Sequence, residues 1–134
     1  MKNIHKLAAI DIGSNAVRLL ITSIRINKPH TKFKKISLVR VPLRLGEDVF
    51  SKGKISDKKL KKLQKTLKAF KILMQMHEVY MFKAVATSAM REAENSTKII
   101  EDIFKKLNIK IDLISGKKEA LMIANVFLNS MENL

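Results

Sequence analysis

Apolar residues near the N-terminus are grouped in a way that predicts paired β-strands. Residues 8–12 and 17–26 are rich in apolar residues, and Gly13-Ser14-Asn15 lies between them. Small polar residues of this kind suit a tight turn between antiparallel strands. Residues 33–43 predict a third strand, and a continuous apolar pair within its alternation indicates burial on at least part of both faces. The polar members of this strand are predicted to be solvated edge positions: Lys34, Lys35 and Arg40.

A helical period begins at Ser56, a good N-cap that is followed by Asp57 in the first turn. Apolar residues then recur at spacings of three and four and predict one buried stripe: Leu60, Leu63, Leu67, Phe70 and Met74. Most lysines of this segment fall on the other faces, which are predicted to be solvated. The stretch before the helix, residues 43–56, contains two glycines, two adjacent acids and two serines, and is predicted to be a loop.

The rest of the chain alternates between strand and helix patterns. Residues 78–85 and 109–114 predict strands, a second helix can be capped by Asn95, Ser96 and Thr97, and a last helix follows Ser115-Gly116. The predicted order is βββαβαβα, in a single domain that spans residues 1–134. Such an order builds an α/β fold with a mixed five-stranded sheet and helices on its faces.

The turn at residues 13–15 carries the first candidate chemistry. Backbone N–H groups in such a turn can converge on an oxyanion, and Gly13 can adopt positive φ. Asp11, at the exit of the first strand, is placed to hold a divalent cation through water beside a phosphate. An ordinary hairpin with a polar tip explains the same residues, and this stretch alone does not separate the two interpretations.

Three motifs in order resemble the exopolyphosphatase and guanosine pentaphosphate phosphohydrolase family, a branch of the actin-like ATPase superfamily. The first is Asp-Ile-Gly-Ser-Asn at residues 11–15 with Arg18-Leu19, which is similar to the family's first phosphate loop. The second, at residues 86–95, resembles the signature A-T-x-A-x-R-x-A-x-N, and the third, at 114–120, resembles I-S-G-x-x-E-A. One departure is Ala16, where the family usually has a hydroxyl residue, which puts one phosphate contact in doubt.

The resemblance implies a ribonuclease H-like half of an actin-like ATPase core and assigns roles to individual residues. Glu119 corresponds to the general base, and Arg91 to an arginine that clamps phosphate. Contacts to phosphate would come from Gly13, Ser14, Asn15 and Arg18, with magnesium held near Asp11 through water. The simpler alternatives are a helix-start charge for Glu119 and a surface salt bridge for Arg91. The resemblance also places the predicted loop near the cleft, where Arg44 could meet substrate and where Glu47 and Asp48 could contribute to a metal site, although solvated surface positions explain all three.

The charge balance narrows the class of partner. The chain has 27 Lys+Arg against 12 Asp+Glu, a net charge of +15, which favours polyanionic partners without choosing among them. It contains no cysteine, so a metal would be held by oxygen or by the three histidines, which lie in unrelated contexts. No apolar run is long enough to cross a bilayer and no signal-peptide pattern is seen, from which we expect a cytoplasmic location without membrane association.

The function that the resemblance implies is release of terminal phosphate from inorganic polyphosphate or from guanosine pentaphosphate. The family's second glycine-rich phosphate loop would follow the last helix, so we expect this chain to act as an N-terminal half that is inactive alone and needs the C-terminal half of the enzyme. A homodimer is left open. The competing hypotheses are a basic module that binds polyanions or nucleic acid without turnover, and a sugar-kinase-like or actin-like ATPase half.

Overall fold

Five strands form one mixed sheet: β1 (Ile4–Ile12), β2 (Val17–Asn27), β3 (His30–Val41), β4 (Met81–Ala86) and β5 (Ile111–Leu113). The computed structural model describes residues 4–27 and 30–115. In space the strands are ordered β3-β2-β1-β4-β5. β1 pairs antiparallel with β2, and β2 with β3, whereas β4 is parallel to both β1 and β5. The predicted mixed five-stranded α/β fold is therefore confirmed, although β4 and β5 are shorter than predicted.

Four helices connect the strands: α1 (Leu45–Lys52), α2 (Asp57–Met76), α3 (Ser88–Glu92) and α4 (Ser96–Leu107). The predicted start of α2 is confirmed, because the Ser56 side chain caps the helix by accepting a hydrogen bond from the Lys59 backbone N–H. The predicted stripe of α2 faces the core, with Leu60 partly buried and the other four members buried. The predicted last helix lies outside the described residues.

The prediction of a loop over residues 43–56 was wrong, because α1 occupies most of this stretch. Arg44 begins the helix in the left-handed conformation with φ 53°, and Gly53 ends it with φ 80°. Leu45 and Val49 are buried under the helix, and Glu47 and Asp48 lie in its first turn, where they complement the helix dipole. Of the two glycines that suggested a loop, Gly53 is the C-terminal cap of this short helix and Gly46 lies within it.

β3 was predicted to be buried on at least part of both faces, but it is an edge strand that is buried on one face. Val39 and Val41 pack against the core, whereas Leu38 is 52% exposed. Successive side chains of a strand point to opposite faces of the sheet, so Leu38 and Arg40 lie on the opposite face from these valines. Lys34, Lys35 and Arg40 are exposed, as predicted for an edge.

The main core lies on one face of the sheet. Alternate residues of β1, including Ile10 and Ile12, join buried residues from all four helices in one apolar cluster. Asp11 alternates to the other face, at the carboxyl end of β1. Within the described residues, no helix is both long enough and apolar enough to cross a membrane.

Of the three predicted caps, Asn95 occupies the N-cap position of α4, but its side chain makes no capping hydrogen bond, and Ser96 and Thr97 lie within the helix. The Asn95 side-chain oxygen accepts from the Ile55 N–H at 3.2 Å, and its amide nitrogen donates to the Ile55 carbonyl at 2.9 Å. The Glu94 N–H also donates to the Gly53 carbonyl at 2.9 Å. The segment between α1 and α2 is therefore joined to the end of the second sequence motif.

Candidate functional site

The turn between β1 and β2 is closed by a hydrogen bond from the Gly13 N–H to the Ala16 carbonyl at 3.0 Å. Gly13 does not adopt the positive φ considered from the sequence: among the described glycines, that conformation belongs to Gly53. A Cβ at Gly13 would lie 3.1 Å from the Ala16 carbonyl oxygen, tighter than most Cβ contacts in proteins. Glycine is favoured here because two backbone segments approach closely, and not because of a left-handed turn.

Two carbonyl groups of this turn are bound by the start of α1. The Gly46 N–H donates to the Ser14 carbonyl, and the Arg44 N–H donates to the Asn15 carbonyl, both at 2.9 Å. In a trans peptide the N–H points opposite to the C=O, so the N–H groups of Asn15 and Ala16 point away from α1. Neither N–H group donates to a backbone oxygen in the part of the chain that the structure describes. The turn thus has fixed carbonyls and two N–H groups available to an anion.

Ser14 and Ser88 connect the first motif to the second. Their Oγ atoms lie 2.8 Å apart, and the neighbouring Thr87 N–H donates to the Ile12 carbonyl at 3.2 Å. Sequence reasoning did not select Ser88. The available signal was a hydroxyl residue among small residues at a strand-to-helix junction, which the parallel pairing of β1 and β4 places beside the turn.

Asp11 and Arg18, predicted as a metal ligand and a phosphate contact, form an ion pair across β1 and β2. Arg18 donates to Asp11 Oδ2 through Nη2 and, at 3.1 Å, through Nε. The Asp11 residue is 8% exposed, and its Oδ1 is buried without a hydrogen-bond partner among the described residues. A buried carboxylate oxygen without a partner is costly, which makes this atom a candidate ligand for a cation.

A cavity of about 290 Å³ opens beside this ion pair. It is lined by residues of the turn and of the three antiparallel strands: Asp11, Gly13, Ser14, Asn15, Ala16, Arg18 and Arg40. The predicted phosphate contacts Gly13, Ser14, Asn15 and Arg18 are therefore brought together. Arg40, which was predicted to be a solvated edge residue, is exposed but lines the same cavity.

A second cavity is lined by Asn15, Arg40, Pro42, Arg44 and Glu47. Glu47 pairs with the Arg44 guanidinium at 3.4 Å and with Lys59 Nζ at 3.5 Å. Asp48 lies 3.3 Å from Lys59 Nζ, which also donates to the Arg44 carbonyl at 2.6 Å. These acids hold α1 against the start of α2 and are not grouped as metal ligands among the described residues.

The pKa of Asp48 is lowered to about 2 by this arrangement. The largest causes are hydrogen bonds from Ser56, whose backbone N–H donates to Asp48 Oδ2 at 3.0 Å, and Lys59 contributes further through its hydrogen bond and its charge. Asp48 is thus ionised at neutral pH and fixes the junction between α1 and α2.

Arg91 joins the second motif to the third. Its Nη1 donates to the Ile114 carbonyl at 3.2 Å, and the Ile114 N–H donates to the Ala86 carbonyl at 3.0 Å. Arg91 is exposed at the carboxyl edge of the sheet and does not line the two cavities described above. Glu119 lies outside the described residues, as do Lys117 and Lys118.

Magnesium would have one protein oxygen at this site, namely Asp11 Oδ1. No group of three or more His, Asp or Glu side chains suited to a metal occurs within residues 4–27 and 30–115. Mg²⁺ commonly keeps several waters and binds through one or two carboxylates and substrate phosphates. A single buried carboxylate oxygen at the edge of this cavity fits that mode of binding.

Comparison with known proteins decides the family. The family model described as the Ppx/GppA phosphatase family matches residues 23–133. The chain belongs to this family. The matched range includes the second and third motifs, so the resemblance that they carry is confirmed.

Two relatives are similar to this chain over most of its length. A bifunctional 3-dehydroquinate synthase/phosphatase of Fusobacterium nucleatum is 33% identical over 122 residues, which are 89% of this chain and 18% of that protein. Exopolyphosphatase 1 of Mycobacterium tuberculosis is 30% identical over 115 residues, 86% of this chain and 33% of the relative. The chain therefore spans a third or less of the length of these relatives.

Solved structures of the Ppx/GppA family share the fold described above. The Aquifex aeolicus family member superposes with a TM-score of 0.78 at 30% identity, covering 87% of this chain and 37% of that one. An exopolyphosphatase from Cytophaga hutchinsonii gives a TM-score of 0.77 at 31% identity, with 87% and 36% covered. The mixed sheet with its helices is thus the fold of one part of the larger family proteins.

Proposed function

We propose that residues 1–134 form one half of the active site of a phosphohydrolase that releases terminal phosphate from inorganic polyphosphate or guanosine pentaphosphate. The observation that carries this proposal is the turn at residues 13–16. The Ser14 and Asn15 carbonyls are bound to the start of α1, so the N–H groups of Asn15 and Ala16 point away from that helix, and Asn15, Ala16 and Arg18 line one cavity. Backbone N–H groups and an arginine together suit a phosphoryl group.

The reaction is attack of water on the terminal phosphorus, with cleavage of the bond to the bridging oxygen and departure of the shortened chain. Glu119 accepts a proton from the attacking water, which raises the nucleophilicity of its oxygen. The turn and Arg18 hold the oxygens of the transferred group, where negative charge accumulates. In this proposal the N–H groups of the turn act in place of the hydroxyl that the family usually has at position 16.

Arg91 acts as a second clamp on the phosphate. Its guanidinium carries several N–H donors, so the bond from Nη1 to the Ile114 carbonyl fixes the side chain while the other donors remain available for a phosphate oxygen. Asp11 Oδ1 would hold magnesium, which, when bound, neutralises charge on the phosphate oxygens. The remaining contacts come from the C-terminal half of the enzyme, and residues 1–134 alone are inactive.

A basic module without turnover is the competing function, and the exposed lysines of α2 favour it. Lys61, Lys65 and Lys68 are exposed on a helix that packs against the opposite face of the sheet from Arg18. Binding through these lysines would follow net charge, whereas binding at the turn depends on one arginine. The two functions are therefore separable by mutation.

The experiment measures binding of tripolyphosphate to the whole 134-residue chain by calorimetry. Arg18→Met should weaken binding by about tenfold or more, because it removes a charge-assisted contact. The matched control is Arg25→Met, an exposed arginine at the other end of β2. A triple variant, Lys61→Ala with Lys65→Ala and Lys68→Ala, should retain tripolyphosphate binding. If the triple variant loses binding and Arg18→Met keeps it, the basic module is the better account.

A further inference from the structure

Asn95 stands at the N-cap position of α4, yet its side chain binds the segment between α1 and α2 instead of the helix. Its carboxamide accepts from the Ile55 N–H at 3.2 Å and donates to the Ile55 carbonyl at 2.9 Å. A carboxamide can do both because it carries an acceptor oxygen and a donor nitrogen side by side. Ile55 is 1% exposed, so water does not replace a lost partner without cost. Asn95 therefore satisfies two buried backbone groups just beyond the C-terminal end of α1.

A backbone hydrogen bond beside Asn95 holds the same end of α1. The Glu94 N–H donates to the Gly53 carbonyl at 2.9 Å. The two segments approach closely, because a Cβ at Gly53 would lie 3.2 Å from Glu94 Oε1. Arg91 lies in α3, within the same sequence motif as Asn95. The motif that carries the predicted phosphate clamp thus also holds the end of α1.

The other end of α1 holds the turn at residues 13–16. The Arg44 N–H donates to the Asn15 carbonyl, and the Gly46 N–H donates to the Ser14 carbonyl. α1 has eight residues and is about 12 Å long. It packs into the main core, and close-packed interiors transmit small displacements. A shift at the C-terminal end of α1 should therefore move the N–H groups that fix the turn.

We propose that Asn95 is a positioning residue, which acts through α1 to set where the turn at residues 13–16 lies relative to Arg91. Asn95 does not line the cavity at the turn, so its effect on a bound phosphate passes through the backbone of α1. This inference rests on the proposed function, because it assumes that phosphate binds at the turn. The alternative is a role in stability alone. Such a role would weaken the fold as a whole and would not single out the amides at the start of α1.

The first measurement is amide hydrogen exchange, followed by NMR on the whole 134-residue chain. Asn95→Ala should accelerate exchange of the Arg44 and Gly46 amides about tenfold more than that of the amides of the central strand β1, because α1 opens locally. Asn95→Asp keeps the shape but places an oxygen against the Ile55 carbonyl at neutral pH, so it should accelerate the same amides. The control is Ile24→Val, which removes one methylene from a separate buried cluster and should affect both groups of amides alike.

The second measurement is calorimetric binding of tripolyphosphate, at a temperature where urea unfolding shows every variant to be folded. Asn95→Ala should weaken binding by about threefold to tenfold, although it removes neither a charge nor a residue of the cavity. Ile24→Val should change the affinity by less than about twofold, because Ile24 pairs with His5 at the other end of β1 from the turn.

The possible results separate this inference from the proposed function. Equal acceleration of all amides in Asn95→Ala, or none, would leave Asn95 without a positioning role and overturn the inference. Faster exchange at the start of α1 with unchanged tripolyphosphate affinity would also overturn it. In these cases binding by the wild-type protein, and with it the proposed function, would stand. If the wild-type protein binds no tripolyphosphate, the proposed function fails and the positioning role fails with it, whatever the exchange rates are.

Discussion

Ser14 and Ser88 are 74 positions apart in the chain, and their hydroxyl oxygens lie 2.8 Å apart at the end of the sheet. This contact ties the turn after β1 to the start of α3. Together with the bond from Thr87 N–H to the Ile12 carbonyl, it makes the first two sequence motifs a single structural unit.

Removing either hydroxyl should lower stability by a modest amount. Ser14→Ala and Ser88→Ala should each reduce the free energy of unfolding by about 0.5–1.5 kcal/mol, the range for one hydrogen bond. The double variant should lose less than the sum of the two, because each single variant already breaks the shared bond. Urea unfolding of the four proteins measures this coupling, and strict additivity would show that the two hydroxyls do not interact in solution. Ser51→Ala removes an exposed hydroxyl that bonds to the Glu47 carbonyl within α1, and it serves as the control for losing a hydroxyl that bonds only within its own helix.

Gly46 should be required for the position of the turn. A Cβ at this residue would lie 3.1 Å from the Ser14 Cβ and 3.0 Å from Cε2 of Phe50. Gly46→Ala should destabilise the protein by about 1–3 kcal/mol, as overpacking does, despite the better helix propensity of alanine. It should also weaken tripolyphosphate binding, because the Ser14 carbonyl is held by the Gly46 N–H.

Gly46→Ala combined with Phe50→Leu separates these effects. The smaller side chain removes the contact with Phe50 and leaves the contact with Ser14. If the pair regains both stability and binding, the effect came from Phe50, and the proposed support of the turn is contradicted. Urea unfolding and calorimetry on the same samples provide both readouts.

Asp48 should contribute stability that depends on pH. Its pKa is lowered from 3.8 to about 2 in the folded protein, so the folded state favours the ionised form. This stabilisation is fully present above pH 4 and is lost as the pH falls toward 2. Asp48→Asn should therefore reduce stability at pH 7, and the difference from wild type should shrink between pH 4 and pH 3.

The measurement is the urea midpoint of both proteins across this pH range. Glu101→Gln, an exposed acid on α4, is the control for removing one negative charge. A difference between Asp48→Asn and wild type that stays constant with pH would show that the carboxylate charge does not stabilise the junction between α1 and α2.

The local sequence pattern was sufficient to predict those helices and strands whose apolar residues recur at a single strand or helix spacing. β1, β2 and α2 were predicted because their buried faces repeat at strand or helix spacing, and Ser56 supplies a recognisable cap. α1 was missed because its start depends on tertiary contacts. Arg44 adopts a left-handed conformation that its residue type does not favour, and the turn of β1 and β2 accepts hydrogen bonds from Arg44 and Gly46.

Sequence motifs predicted some residues of the candidate site. They did not predict contacts that depend on which residues are paired across neighbouring strands. The first motif identifies Asp11 and Arg18, but their ion pair and the position of Arg40 beside Arg18 follow from strand register. A bulge between Ile21 and Thr22 shifts the pairing of β2 with β3, and no signal for it was found in the sequence. An exposed edge arginine has the same sequence signature whether or not a cavity lies beside it.

The most direct test of the account measures phosphate release from long-chain polyphosphate by a fusion of residues 1–134 to the second half of a Ppx/GppA exopolyphosphatase. Glu119→Gln in this fusion should lower turnover by roughly 10²–10⁴, the contribution of a general base, with substrate affinity nearly unchanged. Arg91→Ala should reduce both affinity and turnover, because a clamp acts on ground and transition states alike. Residues 1–134 alone should release no phosphate. Full turnover by the Glu119→Gln fusion would contradict the assignment of the base, and phosphate release by residues 1–134 alone would contradict the proposal that they form half of a site.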